Sequence, residues 1–149
     1  MKSVTINGKE YKIEFSIEAS LYEDCSGCIM DYFINAGLID GAAQTGDTDR
    51  AVDSFKKALT SIPQRALTLF YAGLMENQPE ITKERAKFLL KEYIKESGKS
   101  FSDVLNEMLK CVEEDSFFEM IGLDKMFQNQ ESNTKKKKEE HGENTSTEQ

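Results

Sequence analysis

The sequence contains no tryptophan and only one histidine, His141. Because that histidine lies among hydrophilic residues, a histidine-based acid–base pair or nucleophilic triad is excluded. The sequence also lacks a glycine-rich phosphate loop, and no apolar run approaches the ~18 residues of a membrane span. Residues 128–149 contain no apolar side chain. They cannot contribute to a hydrophobic core, so we predict a disordered hydrophilic tail over residues 128–149.

All 57 apolar residues lie within residues 1–127, of which they make up about 45%. This is the usual apolar share of a globular domain, so we predict a single globular domain over residues 1–127. The first eight residues contain no apolar core of a signal peptide. The chain has three cysteines, an odd number, which suits reduced thiols better than a set of disulfides. We therefore expect the protein in the cytoplasm.

The acidity of the chain belongs to this domain. Without the four lysines and five glutamates of residues 128–149, 15 basic and 22 acidic residues remain, and the whole chain has a formal net charge of −8. Nucleic-acid binding is driven largely by Lys and Arg that displace counterions from phosphates. We therefore expect neither nucleic acid nor an anionic membrane as a partner. The lysines at 135–138 have no aromatic neighbours and suit a solvated tail.

Residues 3–15 are predicted to form a β-hairpin. Apolar and polar residues alternate there, and Asn7 with Gly8 supplies the pair that tolerates positive φ in a type I′ turn. An isolated hairpin is only marginally stable, so its apolar face must pack on other elements.

Periodic apolar positions after the hairpin predict about five helices. The predicted start signals are a cap at Ser16, a cap at Asp47 or Thr48, Pro63 in a first turn, and caps at Thr82 and Ser100. Gly98 is the predicted end of the helix that begins after Thr82. The short second helix carries an apolar stripe on one side, formed by Val52, Phe55, Leu59 and Ile62. The fold class is thus predicted as α+β, mainly α, with an N-terminal β-hairpin packed on about five helices.

Cys25-Ser-Gly-Cys28 is the one pattern that resembles a catalytic or metal site. A redox dithiol needs a helix N-terminus to lower the thiol pKa, and a closed zinc site needs two further ligands. The pair falls about ten residues inside the first predicted helix, on its apolar side, where small buried side chains are common. We therefore predict no catalytic residue, no cofactor and no metal site, and no enzyme. A dithiol or zinc protein built on Cys25 and Cys28 is the less favoured alternative.

Seven of the eleven residues at 117–127 are large and apolar. They could fold back as a lid on the hairpin and core, or present a partner-binding surface, since methionine and aromatic side chains anchor protein interfaces. Phe88, which lies off the apolar stripe of its helix, could contribute to the same surface. The predicted partner-binding residues are Phe117, Phe118, Met120, Met126, Phe127 and Phe88.

Three segments of the chain give it a resemblance to a known family. They are residues 6–25, which begin Ile-Asn-Gly-Lys-Glu-Tyr-Lys-Ile-Glu-Phe; residues 62–76, with Pro-Gln-Arg-Ala-Leu-Thr-Leu-Phe-Tyr-Ala-Gly-Leu; and residues 113–124, with Asp-Ser-Phe-Phe-Glu-Met-Ile-Gly-Leu. Over nearly all of residues 1–127 the chain resembles the tail assembly chaperones of long-tailed (siphovirus-type) bacteriophages and prophages of Gram-positive bacteria.

The resemblance implies a chaperone that binds the tape measure protein, keeps it soluble and helps recruit tail tube subunits. Such a protein acts in the host bacterial cytoplasm and is absent from the mature virion. The resemblance further implies self-association and association with a long form made by ribosomal frameshifting, for which the codons of residues 135–138 are the expected place. An acidic helical adaptor or inhibitor that binds a host protein remains the alternative function.

Overall fold

The computed structural model describes residues 1–32 and 45–125. A two-stranded antiparallel sheet is followed by helices, which confirms the predicted α+β, mainly α, fold class. Met1–Phe117 form one compact unit, and the chain from Phe118 onward belongs to a second. The predicted domain boundary at residue 127 and the predicted tail lie outside the described residues. Within the described ranges, no helix is long and apolar enough to cross a membrane.

The helices are numbered in chain order after strands β1 (Lys2–Ile6) and β2 (Lys9–Ile13). They are α1 (Ile17–Leu21), α2 (described over residues 23–32), α3 (Thr48–Met75), α4 (Lys83–Ser97), α5 (Phe101–Glu114) and α6 (Phe117–Ile121). Between the strands, Asn7 and Gly8 have φ of 51° and 75°, as the predicted two-residue turn requires.

The hairpin packs on the C-terminal half of α3 at Gly73. The backbone N–H of Glu14 donates to the Gly73 carbonyl over 2.8 Å. The side chains of Ile13 and Phe15 lie so close to this glycine that a Cβ there would be 2.5 Å from Cγ2 of Ile13. The buried apolar residues of the hairpin and the segment after it are Val4, Ile6, Tyr11, Ile13 and Phe15. Strand and helix therefore approach so closely at Gly73 that a side chain there would clash.

Helix α3 corrects the prediction that one helix ends before Pro63 and another begins there. It runs unbroken over 28 residues, with Pro63 in its interior. An interior proline loses one helical hydrogen bond and costs about 3 kcal/mol. The residues after Pro63 are buried at most positions; the buried ones are Ala66, Thr68, Leu69, Phe70, Ala72, Gly73 and Leu74. This burial can outweigh the local penalty.

A second correction concerns the helix predicted from Ser16, which is interrupted at Tyr22. The φ of −83° and ψ of 103° at Tyr22 end α1, and the Tyr22 carbonyl accepts from the N–H of Cys25 at the start of α2. The Tyr22 ring packs edge-on against Tyr71, with centroids 5.4 Å apart. Because of this break, Ile17 and Leu21 are exposed instead of facing the core.

Helix α4 begins and ends as predicted, and α5 begins as predicted. The Thr82 side chain accepts from the N–H of Arg85, and Gly98 ends α4 in the left-handed conformation. Ser100 and Asp103 form a reciprocal capping box at the start of α5. These local signals therefore fix three of the four helix ends of this pair.

A polar network joins α4, α5 and β1 around Glu107. Its carboxylate accepts from the Tyr93 hydroxyl and the Lys99 ammonium and lies 3.4 Å from Nζ of Lys2. The hydrogen bond from Lys99 to Glu107 raises the pKa of Lys99 to about 12. Burial alone would raise the pKa of Glu107, but the bonds from Lys99 and Tyr93 outweigh it and lower that pKa. The network thus favours the charged pair that holds the three elements together.

Candidate partner-binding surfaces

Phe117 is a correction to the predicted partner surface, because its side chain is 0% exposed. The Asp115 carboxylate accepts from the N–H of Phe15 over 2.9 Å, and Ser116 then turns the chain with φ of 55°. The Phe117 ring meets the Phe15 ring edge-on, with centroids 6.2 Å apart. Phe117 therefore belongs to the core under the hairpin, which is the lid interpretation for this residue.

The other predicted residues of the C-terminal segment have different environments. Phe118 is half-buried, and Met120 is 43% exposed on α6. Met126 and Phe127 lie outside the described residues. Met120 is thus the residue of this segment that the structure places at the surface with a large accessible area.

Phe88 is 45% exposed on α4, as its position off the apolar stripe predicts. The buried face of α4 is formed by Ala86, Leu89, Leu90 and Tyr93. The Arg85 guanidinium lies 5.0 Å from the centroid of the Phe88 ring, within cation–π distance. This contact orients the ring at the surface, where a partner can reach its other face.

A further apolar surface lies on α3 before Pro63. Val52, Phe55 and Leu59 are 49–54% exposed there. The sequence predicted the stripe but did not place it on the surface. The sequence signal that could have placed the stripe outside is the row of small residues on the neighbouring face of the helix. Ser54 is buried there, and Ala51, Ala58 and Ser61 are half-buried. Small side chains on the inward face of α3 leave the large ones outside. We call residues 48–59 the α3 arm.

Charges of both signs lie on and beside the α3 arm, mostly acidic at its beginning and basic at its end. The acidic residues are Asp47, Asp49 and Asp53, and the basic ones are Arg50, Lys56 and Lys57. All six are exposed. The arm is therefore nearly neutral within a chain of net charge −8, with an acidic beginning and a basic end.

The two cysteines of α2 do not have the electrostatics of a redox dithiol. The break at Tyr22 places Cys25 in the first turn of α2, not ten residues inside a helix as predicted, but Cys25 is buried. Burial raises the pKa of Cys25 to about 12 and that of the half-buried Cys28 to about 11. Nearby Arg65 lowers the pKa of Cys28, but burial and two aspartates outweigh it. Both cysteines are free thiols, and the small-core-residue interpretation is confirmed for Cys25.

These pKa values predict slow alkylation of Cys28. At pH 8 a thiol of pKa about 11 is roughly 0.1% thiolate, so we expect iodoacetamide to react about a hundredfold more slowly than with an ordinary cysteine. The rate should rise about tenfold per pH unit from pH 7 to 9 because the thiolate fraction grows in proportion. Mass spectrometry of the modified peptide measures it, with the urea-unfolded chain as control. A plateau below pH 8 would contradict the raised pKa.

A groove of about 490 Å³ between α2 and α3 is lined by Cys28 and by charges of both signs. Its acidic residues include Asp31, and Arg65 and Lys83 supply the positive charges. Among residues 1–32 and 45–125, no three His, Cys, Asp or Glu side chains converge to hold a metal ion. Most residues that line the groove are polar or charged, in contrast to the exposed apolar side chains of Phe88, Met120 and the α3 arm.

No protein-family model, curated protein or solved structure matches the chain.

Proposed function

We propose that this protein is the short form of a phage tail assembly chaperone. It binds the tape measure protein, keeps it soluble in the cytoplasm of the bacterial host, and helps recruit tail tube subunits before it leaves the growing tail. The resemblance of residues 6–25, 62–76 and 113–124 to that family motivates the proposal.

The observation that carries the proposal is the presence of large apolar side chains at the surface of an acidic chain. A holding chaperone needs an apolar contact surface for its client and a net charge that keeps the complex dispersed. Phe88 and Met120 supply exposed apolar side chains, and the net charge of −8 supplies repulsion between complexes. In this proposal, Phe88 and Met120 are two separate contact points for the client.

The segments that carry the resemblance have distinct structural roles. Residues 62–76 form the part of α3 that crosses the core and receives the hairpin at Gly73. Residues 113–124 include the end of α5 and all of α6, with Phe117 inside the core. Within this segment the client contact is therefore assigned to Met120, and Phe117 is assigned to folding.

Co-expression with the tape measure protein encoded by the same phage tests the proposal. We expect the wild-type chain to keep the tape measure protein in the soluble fraction. The Phe88→Ser, Met120→Ser double variant should lose most of this effect, because two exposed apolar contacts become polar while no buried group changes.

Phe101→Ser is the matched control, since Phe101 is also exposed but is not assigned to the client surface. Circular dichroism should show that all variants remain folded. If the wild-type chain leaves the tape measure protein insoluble, the proposed function is wrong and the host-protein adaptor becomes the better hypothesis. If the wild-type chain and the Phe88→Ser, Met120→Ser double variant both keep the tape measure protein soluble, the function stands and the assigned contact residues are wrong.

A further inference from the structure

The exposed residues of the α3 arm have the spacing of a helix-pairing surface. Thr48, Val52, Phe55 and Leu59 follow one another at intervals of four, three and four residues. This is the spacing of core positions in a coiled coil, in which Val52 and Leu59 take position a and Thr48 and Phe55 take position d. A stripe of this kind is complementary to another helix that lies along it, and less complementary to an irregular surface.

We propose that the α3 arm pairs with the α3 arm of a second copy of this chain, antiparallel across a two-fold axis. In the inferred register, Val52 packs against position 55 of the other copy and Leu59 packs against position 48. The symmetry applies each contact twice, so the whole exposed stripe is covered by its own counterpart.

Charge complementarity selects the second copy as the occupant. In an antiparallel helix pair, the residues that follow d positions on the two helices, the e positions, face each other along one flank. These are Asp49 and Lys56, so the inferred register brings Asp49 of each copy against the lysine at position 56 of the other. The opposite flank brings Ala51 near position 58, another alanine, where small side chains permit close approach.

Other arrangements of the same two helices lack this match. Moving the antiparallel register by one heptad to include Ile62 brings the two copies of Lys56 face to face, which is repulsive. A parallel pair sets Lys56 beside Ala51 and aligns the two helix dipoles unfavourably. The near-neutral arm also lowers the repulsion that two chains of net charge −8 exert on each other.

The contact is small, since each copy contributes three half-exposed apolar side chains. Interfaces at the low end of the size range are weak, so we expect a dimer with a Kd of about 10–100 µM. Such a dimer does not use Phe88, which lies on α4. The inference does not depend on the identity of the client and extends beyond the proposed function.

Sedimentation equilibrium of the full chain, between about 5 and 500 µM, tests the inference through paired charge reversals. Asp49→Lys alone and Lys56→Glu alone each place like charges in both flanking contacts, so each should weaken dimerisation about tenfold. An equimolar mixture of the two variants should dimerise as well as wild type. In that heterodimer, every introduced charge meets an opposite one.

Lys57→Glu is the control, because position 57 points away from the pairing stripe and its reversal should leave the Kd within about twofold. Phe55→Ser should abolish the dimer, with circular dichroism confirming the fold. A chain that stays monomeric throughout overturns the inference. So do single reversals that dimerise like wild type, or a mixture that fails to recover. None of these outcomes bears on whether the protein keeps its client soluble.

Discussion

Replacing Phe117 by alanine is expected to lower the free energy of unfolding by about 3–5 kcal/mol, the cost of removing a buried aromatic side chain and leaving a cavity. The Phe117 side chain is fully buried and packs edge-on against Phe15. Its loss also loosens the corner where Asp115 binds the Phe15 N–H. The effect is a large fraction of the roughly 5–15 kcal/mol that stabilises a typical domain.

Urea unfolding followed by circular dichroism measures this difference, with Phe88→Ala as the matched control. Phe88 is the same residue type but is 45% exposed, so its truncation should cost less than about 1 kcal/mol. Equal losses for the two variants would contradict the buried position of Phe117. The comparison separates the residue that folds the chain from the residue assigned to binding.

Gly73→Ala is expected to destabilise the protein by about 1–3 kcal/mol, although alanine normally favours a helix over glycine by about 1 kcal/mol. The added methyl group would lie 2.5 Å from Cγ2 of Ile13 and 3.4 Å from the ring of Phe15. Helix and hairpin must then separate, which also strains the hydrogen bond from Glu14 to the Gly73 carbonyl.

A double-mutant cycle with Ile13→Ala identifies the cause. Ile13→Ala alone should cost about 2–5 kcal/mol, and in its background the Gly73→Ala change should become close to neutral, because the clashing methyl group is gone. Gly27→Ala is the control: no atom lies within 4 Å of that Cβ position, so it should stabilise by up to about 1 kcal/mol. An additive cycle would show that the Ile13 contact does not limit the packing.

The parts of the fold that could be predicted are those fixed by neighbouring residues. The turn at Asn7 and Gly8, the caps at Thr82 and Ser100 and the stop at Gly98 each depend on backbone geometry that the residue type itself imposes. The structure has all of them where the sequence puts them. The apolar stripe on α3 was also visible, because its spacing is a property of the sequence.

The parts that could not be predicted depend on distant residues. Pro63 usually starts or breaks a helix, and only the burial of residues after it explains why α3 continues. At the break, the Tyr22 ring packs against Tyr71, nearly fifty positions away, a contact that the neighbouring residues do not indicate. Phe117 and Phe118 are chemically identical neighbours, and the turn at Asp115 and Ser116 determines which of them enters the core. Periodicity alone does not tell an inward stripe from an outward one.

Pro63 separates a mostly exposed part of α3 from a mostly buried part. Its missing N–H leaves the carbonyl of Leu59 without its usual helical donor, so the helix is locally weakest between the exposed arm and the buried half. Substitutions at the buried positions after this point disturb the core, whereas substitutions at the exposed positions of the arm change a surface on which global stability depends little. The arm can therefore accumulate sequence change and acquire new binding specificity at little risk to folding.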